Sequence, residues 1–258
     1  MGGVAGFVQT FGAAALVGAV LAVAAGGFAK GVVGFALPLI GLSVLAMFLP
    51  VEVSVALLIL PTLVSNLFQA LRHGLGAAWG SLVRHRWLNG VLVVTIAFSA
   101  QLVVVLPDRL LFTILGASIT AFGLSQLFGW QPRFPTGHRH LVEAGIALVA
   151  GFFGGLSGIW GPPLIMYMLS IHMPKTEMVR VQCLSFLLGS VVLLFAHLRS
   201  GVLDAVTLPM SAWMVLPTMA AMFVGYRVHD RLDQVRFRQM TLIVLVLSGL
   251  NLLRRAFV

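Results

Sequence analysis

Lys30 and a scatter of amides, hydroxyls and histidines are the residues able to do chemistry inside the apolar segments of this chain. Lys30 sits in Gly26-Gly27-Phe28-Ala29-Lys30-Gly31-Val32-Val33-Gly34-Phe35, ahead of Pro38. Glycines let backbones approach closely and adopt positive φ, and a proline after them can start or break a helix. A broken helix exposes amide N–H groups at its new N-terminus, where partial positive charge attracts anions. Gly31 and Gly34 are therefore candidate anion contacts, and Lys30 could add a full charge. The alternative for Lys30 is snorkelling to a membrane surface. A second run, Gly151-Phe152-Phe153-Gly154-Gly155-Leu156-Ser157-Gly158-Ile159-Trp160-Gly161-Pro162-Pro163, repeats the pattern and offers Gly155, Ser157 and Gly158. Gly154 stands where Lys30 stands, so any charged site is asymmetric. Gly27-xxx-Gly31 and Gly151-xxx-Gly155 also fit close helix packing, and one motif can serve both ends.

Polar stripes follow each run. Thr62, Asn66, Gln69 and His73 fall at i, i+4, i+7 and i+11, one face of a helix. Gln182, Ser185, Gly189 and His197 form a weaker counterpart. So long a stripe on a Leu/Val helix is expected to face a cavity, with interhelical hydrogen bonding as the alternative. Asn66, Gln69, Ser157, Gln182 and Ser185 are the candidate neutral donors to a bound anion. His73 and His197 can titrate near neutral pH, and with Arg180 they are candidates for a proton or anion path; interfacial placement is the other reading. Glu52 and Glu177, just after Pro50 and Pro174, suit the first turn of a helix. Glu143 is a further acid near a segment end. The chain lacks H-E-x-x-H, P-loop and Cys/His metal spacings, so neither metal nor cofactor is expected. Gly155-Leu156-Ser157-Gly158 resembles the nucleophile string of rhomboid intramembrane proteases, but its counterpart Gly31-Val32-Val33-Gly34 keeps the glycines and lacks the serine. No catalytic residue is assigned, and an enzyme is not expected.

The elements that hold these residues must be lipid-spanning helices. Of 258 residues, 60% are hydrophobic and 9% charged, with mean hydropathy +1.06; a soluble domain carries about 25% charged residues. The net charge of +9 comes from basic residues between apolar blocks, which points to membrane orientation rather than nucleic acid. A single cysteine, Cys183, excludes an internal disulfide. The N-terminus lacks the basic n-region and small-residue cleavage site of a signal peptide and reads as a retained span. A helical span needs roughly 20 apolar residues, and ten segments emerge: 4–25, 32–49, 51–71, 88–106, 110–129, 141–156, 159–173, 177–198, 206–226 and 240–257. The pairs 4–25/32–49 and 141–156/159–173 are each two spans or one re-entrant hairpin, so an all-α membrane fold of ten segments, or eight spans plus two hairpins, is expected. With odd-to-even connections on one face, that face holds Lys30, Arg72, Arg84, Arg86, Arg133, Arg139, Lys175, Arg180, Arg227, Arg231, Arg236 and Arg238, leaving Arg109, Arg199, Arg254 and Arg255 opposite. The positive-inside rule makes the first face cytoplasmic and both termini external.

The two glycine runs belong to an internal duplication. An offset of 151 − 27 = 124 carries Gly27-Phe28 onto Gly151-Phe152, Gly34 onto Gly158, Pro38 onto Pro162, Pro50 onto Pro174 and His73 onto His197. The repeats occupy 1–130 and 141–258, with a cytoplasmic linker at 131–140. Five segments is an odd number, so the copies insert with opposite orientation. Inverted repeats with interrupted helices at matching positions are a transporter architecture whose site lies near the midplane.

At these motifs the sequence resembles the sulfite exporter TauE/SafE family, also called the toluene sulfonate uptake permeases. The resemblance runs over both repeats and rests chiefly on the second motif with its paired prolines; the first repeat has Leu37 where a glycine would precede the proline. It implies a secondary transporter in the bacterial inner membrane. The expected partners are the lipid bilayer and a small sulfur-containing anion such as sulfite, sulfoacetate or another sulfonate. A passive anion channel is the rival reading. Substrate, direction, coupling ion and oligomeric state are not fixed by the sequence.

Overall fold

A computed structural model describes residues 4–99, 107–128, 139–157 and 160–257. The described residues form helices α1 (Val4–Phe11), α2 (Ala13–Val33), α3 (Leu37–Leu45), α4 (Val51–Leu71), α5 (Leu75–Arg84) and α6 (Arg86–Ser99). They continue as α7 (Asp108–Leu127), α8 (Arg139–Ser157), α9 (Gly161–Ser170), α10 (Lys175–Ser200), α11 (Thr207–Arg231) and α12 (Gln234–Phe257), with no strand among them. Among the described residues, five helices are long and apolar enough to cross a bilayer: Ala13–Val33, Glu52–Leu71, Lys175–Arg199, Thr207–Arg231 and Gln234–Phe257. Large apolar side chains such as Leu21, Phe98 and Leu247 point outward, as lipid-facing residues do. Such a chain is a multi-pass membrane protein.

Helix boundaries near the first motif differ from the apolar segments read in the sequence. The chain breaks at Gly12, whose φ of 87° no helix accommodates. It then runs unbroken through Gly26, Gly27, Lys30 and Gly31 to Val33. Glycine only weakens a helix interior, and here interhelical packing holds those positions in place. The interruption comes at Gly34 and Ala36, both left-handed (φ 88° and 78°). Pro38 lies in the first turn of α3, where its missing N–H costs nothing.

The chain divides into two compact units that each draw on both halves of the sequence. The first comprises Met1–Phe68 and Ser190–Arg231, the second Gln69–Gly189 and Leu232–Val258. In the first unit α2 lies along α11. A Cβ at Gly27 would stand 2.4 Å from Thr218 O, and one at Gly31 2.3 Å from Met222 O. Around them pack Ala19, Val23, Leu37, Leu45, Leu57 and Met214. In the second unit α8 lies along α6, and α7 along α12. Gly151 meets Leu92 and Thr95, while Gly116 and Gly249 bring α7 against α12.

The entry to α11 is held by a reciprocal cap. Asp204 Oδ1 accepts the N–H groups of Val206 (2.8 Å) and Thr207 (2.7 Å), and Thr207 Oγ1 accepts the Asp204 N–H (2.9 Å). The Thr207 N–H, followed by that of Val206, holds the Asp204 carboxyl below the usual carboxylate range. A lowered folded-state pKa contributes stability that is present above the unfolded value near 3.9 and is lost as pH falls through the folded value. Asp204→Ala is expected to lower stability by about 1 kcal/mol at pH 7. Melting of both proteins at pH 7 and below pH 4 checks this, since the gap must shrink in acid.

Candidate functional site

Each unit buries a polar centre of its own. In the first, Lys30 is fully buried, and its Nζ donates to Asn66 Oδ1 at 2.5 Å. Asn66 Nδ2 donates in turn to Ser190 Oγ at 3.0 Å. Three helices converge here: α2 supplies Lys30 one turn before its break, α4 supplies Asn66, and α10 supplies Ser190. The ammonium therefore does not snorkel; it bonds to a neutral carboxamide in the interior. Gly31 is helical and serves the approach to Met222 and Gly225. Gly34 caps α2, its N–H returning to Lys30 O at 2.7 Å. His229 Nδ1 lies 2.9 Å from Val32 O and satisfies one of the carbonyls that the break would orphan.

The second unit's centre lies along α10. Gln182, Ser185, Phe186 and Gly189 fall at i, i+3, i+4 and i+7, one helical face. Ser185 Oγ donates to Asn89 Oδ1 of α6 at 2.7 Å. The Trp160 ring meets Phe186 edge to face, 5.7 Å between centroids. Gly154 and Gly189 make room for that indole: a Cβ at either would come within 3.0 Å of it. Gln182 is fully buried, yet neither its Nε2 nor its Oε1 has a hydrogen-bond partner among the described residues. Trp160 Nε1, also buried, likewise has none. Leaving a buried polar atom unpaired costs about 1–3 kcal/mol, and native structures contain few such atoms. Gln69, one turn beyond Asn66 on α4, accepts a hydrogen bond from Cys183 Sγ at 3.1 Å.

A charged cluster in the same unit was not evident from sequence. Glu143 Oε1 accepts from His85 Nδ1 (2.8 Å), Arg139 Nε (3.0 Å) and Tyr167 OH (3.2 Å). His85 and Glu143 are buried.

Of the candidates read from sequence, Lys30 and Asn66 come together, and Gln182 and Ser185 share one face of α10. Gly155 is buried in α8. The side chain of Ser157 and all of Gly158 lie outside the described residues. His73 is exposed in the turn after α4, while Arg180 and His197 are half-buried on α10. Sequence reasoning missed Ser190, Asn89, Trp160 and the partners of Glu143. Ser190 was within reach, since 66 + 124 = 190 makes it the counterpart of Asn66. Asn89 stands out as an amide in the apolar α6, but nothing local names its partner.

Long apolar helices that bury a lysine, amides and hydroxyls define a polytopic membrane protein with a polar interior, the construction of a solute transporter. The family model of the sulfite exporter TauE/SafE family matches residues 18–252, and the chain belongs to that family. It is thus a membrane transporter of the sulfite or anion exporter type. No curated protein and no solved structure matches the chain.

Proposed function

We propose that the chain exports a sulfur-containing anion, such as sulfite, sulfoacetate or another organosulfonate, across the bacterial inner membrane by alternating access of two inverted repeats. The repeats are 1–130 and 141–258, joined by a cytoplasmic linker at 131–140, and both termini face outside. Helix boundaries support the duplication. The offsets from α3 to α9 (161 − 37) and from α4 to α10 (175 − 51) are both 124. Asn66 touches Ser190, its own counterpart, and in a two-fold arrangement a residue meets its counterpart only beside the axis.

The observation that carries the anion reading is Gln182. A sulfonate offers three acceptor oxygens and no donor. It needs N–H groups already stripped of water, and the Gln182 carboxamide and the Trp160 indole are such groups. In the same unit, Ser185 and Gln69 are further proposed contacts, as are the amides near Gly155–Gly158; in the other unit, Lys30, Asn66 and the Gly31–Gly34 amides are the proposed cationic contacts. His73, Arg180 and His197 stay in the proposal as residues along the proton or anion route.

Gln182→Leu tests it in proteoliposomes loaded with labelled sulfite or methanesulfonate. Losing a hydrogen bond to a charged ligand, about 1.5–3 kcal/mol, should weaken anion affinity tenfold or more. The same change removes an unpaired buried amide, so the melting temperature should hold or rise. Unaltered affinity and flux would refute the assignment. A steady current under a voltage step would replace the carrier by a channel.

A further inference from the structure

We infer that the buried His85–Glu143 pair is a proton-binding site whose occupancy is coupled to that of the anion site at Gln182, a conclusion that rests on the anion reading above. Side-chain exposure is 1% for His85 and 2% for Glu143. Among the described residues, these side chains lie around the pair. Arg139 comes from α8, Tyr167 from α9 and the neutral Asn89 from α6, while Arg84, next in sequence to His85, turns outward to Glu177 at 2.9 Å.

With His85 neutral, Glu143 and Arg139 cancel and the cluster carries no net charge. A carboxylate can only accept, so His85 Nδ1 then carries the hydrogen. Three donors crowd Glu143 Oε1, whereas Oε2 accepts nothing from the described residues. Arg139 Nη2 lies 3.3 and 3.4 Å from the two ring nitrogens. The imidazole thus has both a guanidinium and a carboxylate against it. Arg139 itself is half exposed and gives protons access to the cluster.

One added proton, shared by His85 and Glu143, leaves a positive charge in a buried place. That state is costly unless an anion sits nearby. Asn89 links the neighbourhoods of the two sites: its Nδ2 donates to the His85 main-chain O at 3.1 Å and its Oδ1 accepts from Ser185 Oγ at 2.7 Å, one helical turn from Gln182. Anion and proton should each strengthen the other's binding by the same factor.

The test uses the purified full-length chain and methanesulfonate, which stays ionised throughout. Wild-type protein in weakly buffered solution should take up about one proton per methanesulfonate bound near neutral pH. Its affinity should fall about tenfold or more from pH 6 to pH 8. Glu143→Gln should still bind methanesulfonate but without proton uptake and with a flat pH profile. His85→Asn, which keeps an N–H where Nδ1 lies, should do the same and covers a folding failure of the first variant. Proton uptake persisting in both variants overturns the proposal. Wild-type binding without proton uptake overturns the coupling and leaves the anion reading standing; no methanesulfonate binding at all overturns both.

Discussion

Lys30→Met should abolish most anion transport while leaving the protein folded. Methionine matches the length of the lysine stem but carries no charge. If the ammonium meets the anion, its loss removes a charge-assisted contact worth about 2 kcal/mol, or roughly thirtyfold in affinity. The stability effect is smaller because two terms oppose each other. Asn66 Oδ1 loses the donor it holds at 2.5 Å, which destabilises, but the fold no longer desolvates an ammonium, which stabilises. Labelled methanesulfonate binding and thermal melting on the same preparation separate these outcomes. A melting temperature lowered with affinity intact would make Lys30 a strut between α2 and α4 and nothing more. Lys30→Arg should rescue poorly, since a planar fork does not fit a site shaped for one ammonium.

The second large effect is steric. Gly31→Val should prevent accumulation of folded protein. A Cβ at position 31 would stand 2.3 Å from Met222 O and 2.9 Å from Gly225 Cα. Both obstacles are backbone, so no rotamer change relieves them, and α2 must move off α11. Overpacking of this kind costs about 3 kcal/mol or more. Gly225→Val should fail for the reciprocal reason, its Cβ falling 2.3 Å from Phe28 O. Gly145→Ala is the control: it is helical with nothing within 4 Å of the Cβ position, and it should accumulate like the wild type. Yield of monodisperse protein in detergent reports all three. Normal yield of Gly31→Val would mean that α2 and α11 are not held at this distance.

These two substitutions divide the motif around Lys30 into two jobs. Gly27 and Gly31 face α11 and set the distance between helices. Lys30 faces α4 and carries the charge inward. The helix then ends at Gly34, whose φ of 88° suits the absence of a Cβ.

Hydropathy alone determined the helical membrane class, because a bilayer requires long apolar runs and leaves the backbone no partner but itself. Part of the stripe on α4 was legible too: Thr62, Asn66 and Gln69 are buried on one helix, since helical period is a local property, whereas His73 falls in the exposed turn beyond it. Other features were decided only in three dimensions. Whether Gly26 and Gly27 break a helix depends on what packs against them, and Thr218 comes from nearly two hundred residues away. Lys30 could reach a surface or a core with the same local sequence, and the position of Asn66 decides which. Gln182 reads as one more polar residue on a stripe; that it has no hydrogen-bond partner among the described residues emerges only from the packed helices. His85 and Glu143 lie 58 residues apart with no shared motif. Periodicity and composition are short-range properties of the chain, whereas pairing of buried polar groups is set by long-range packing.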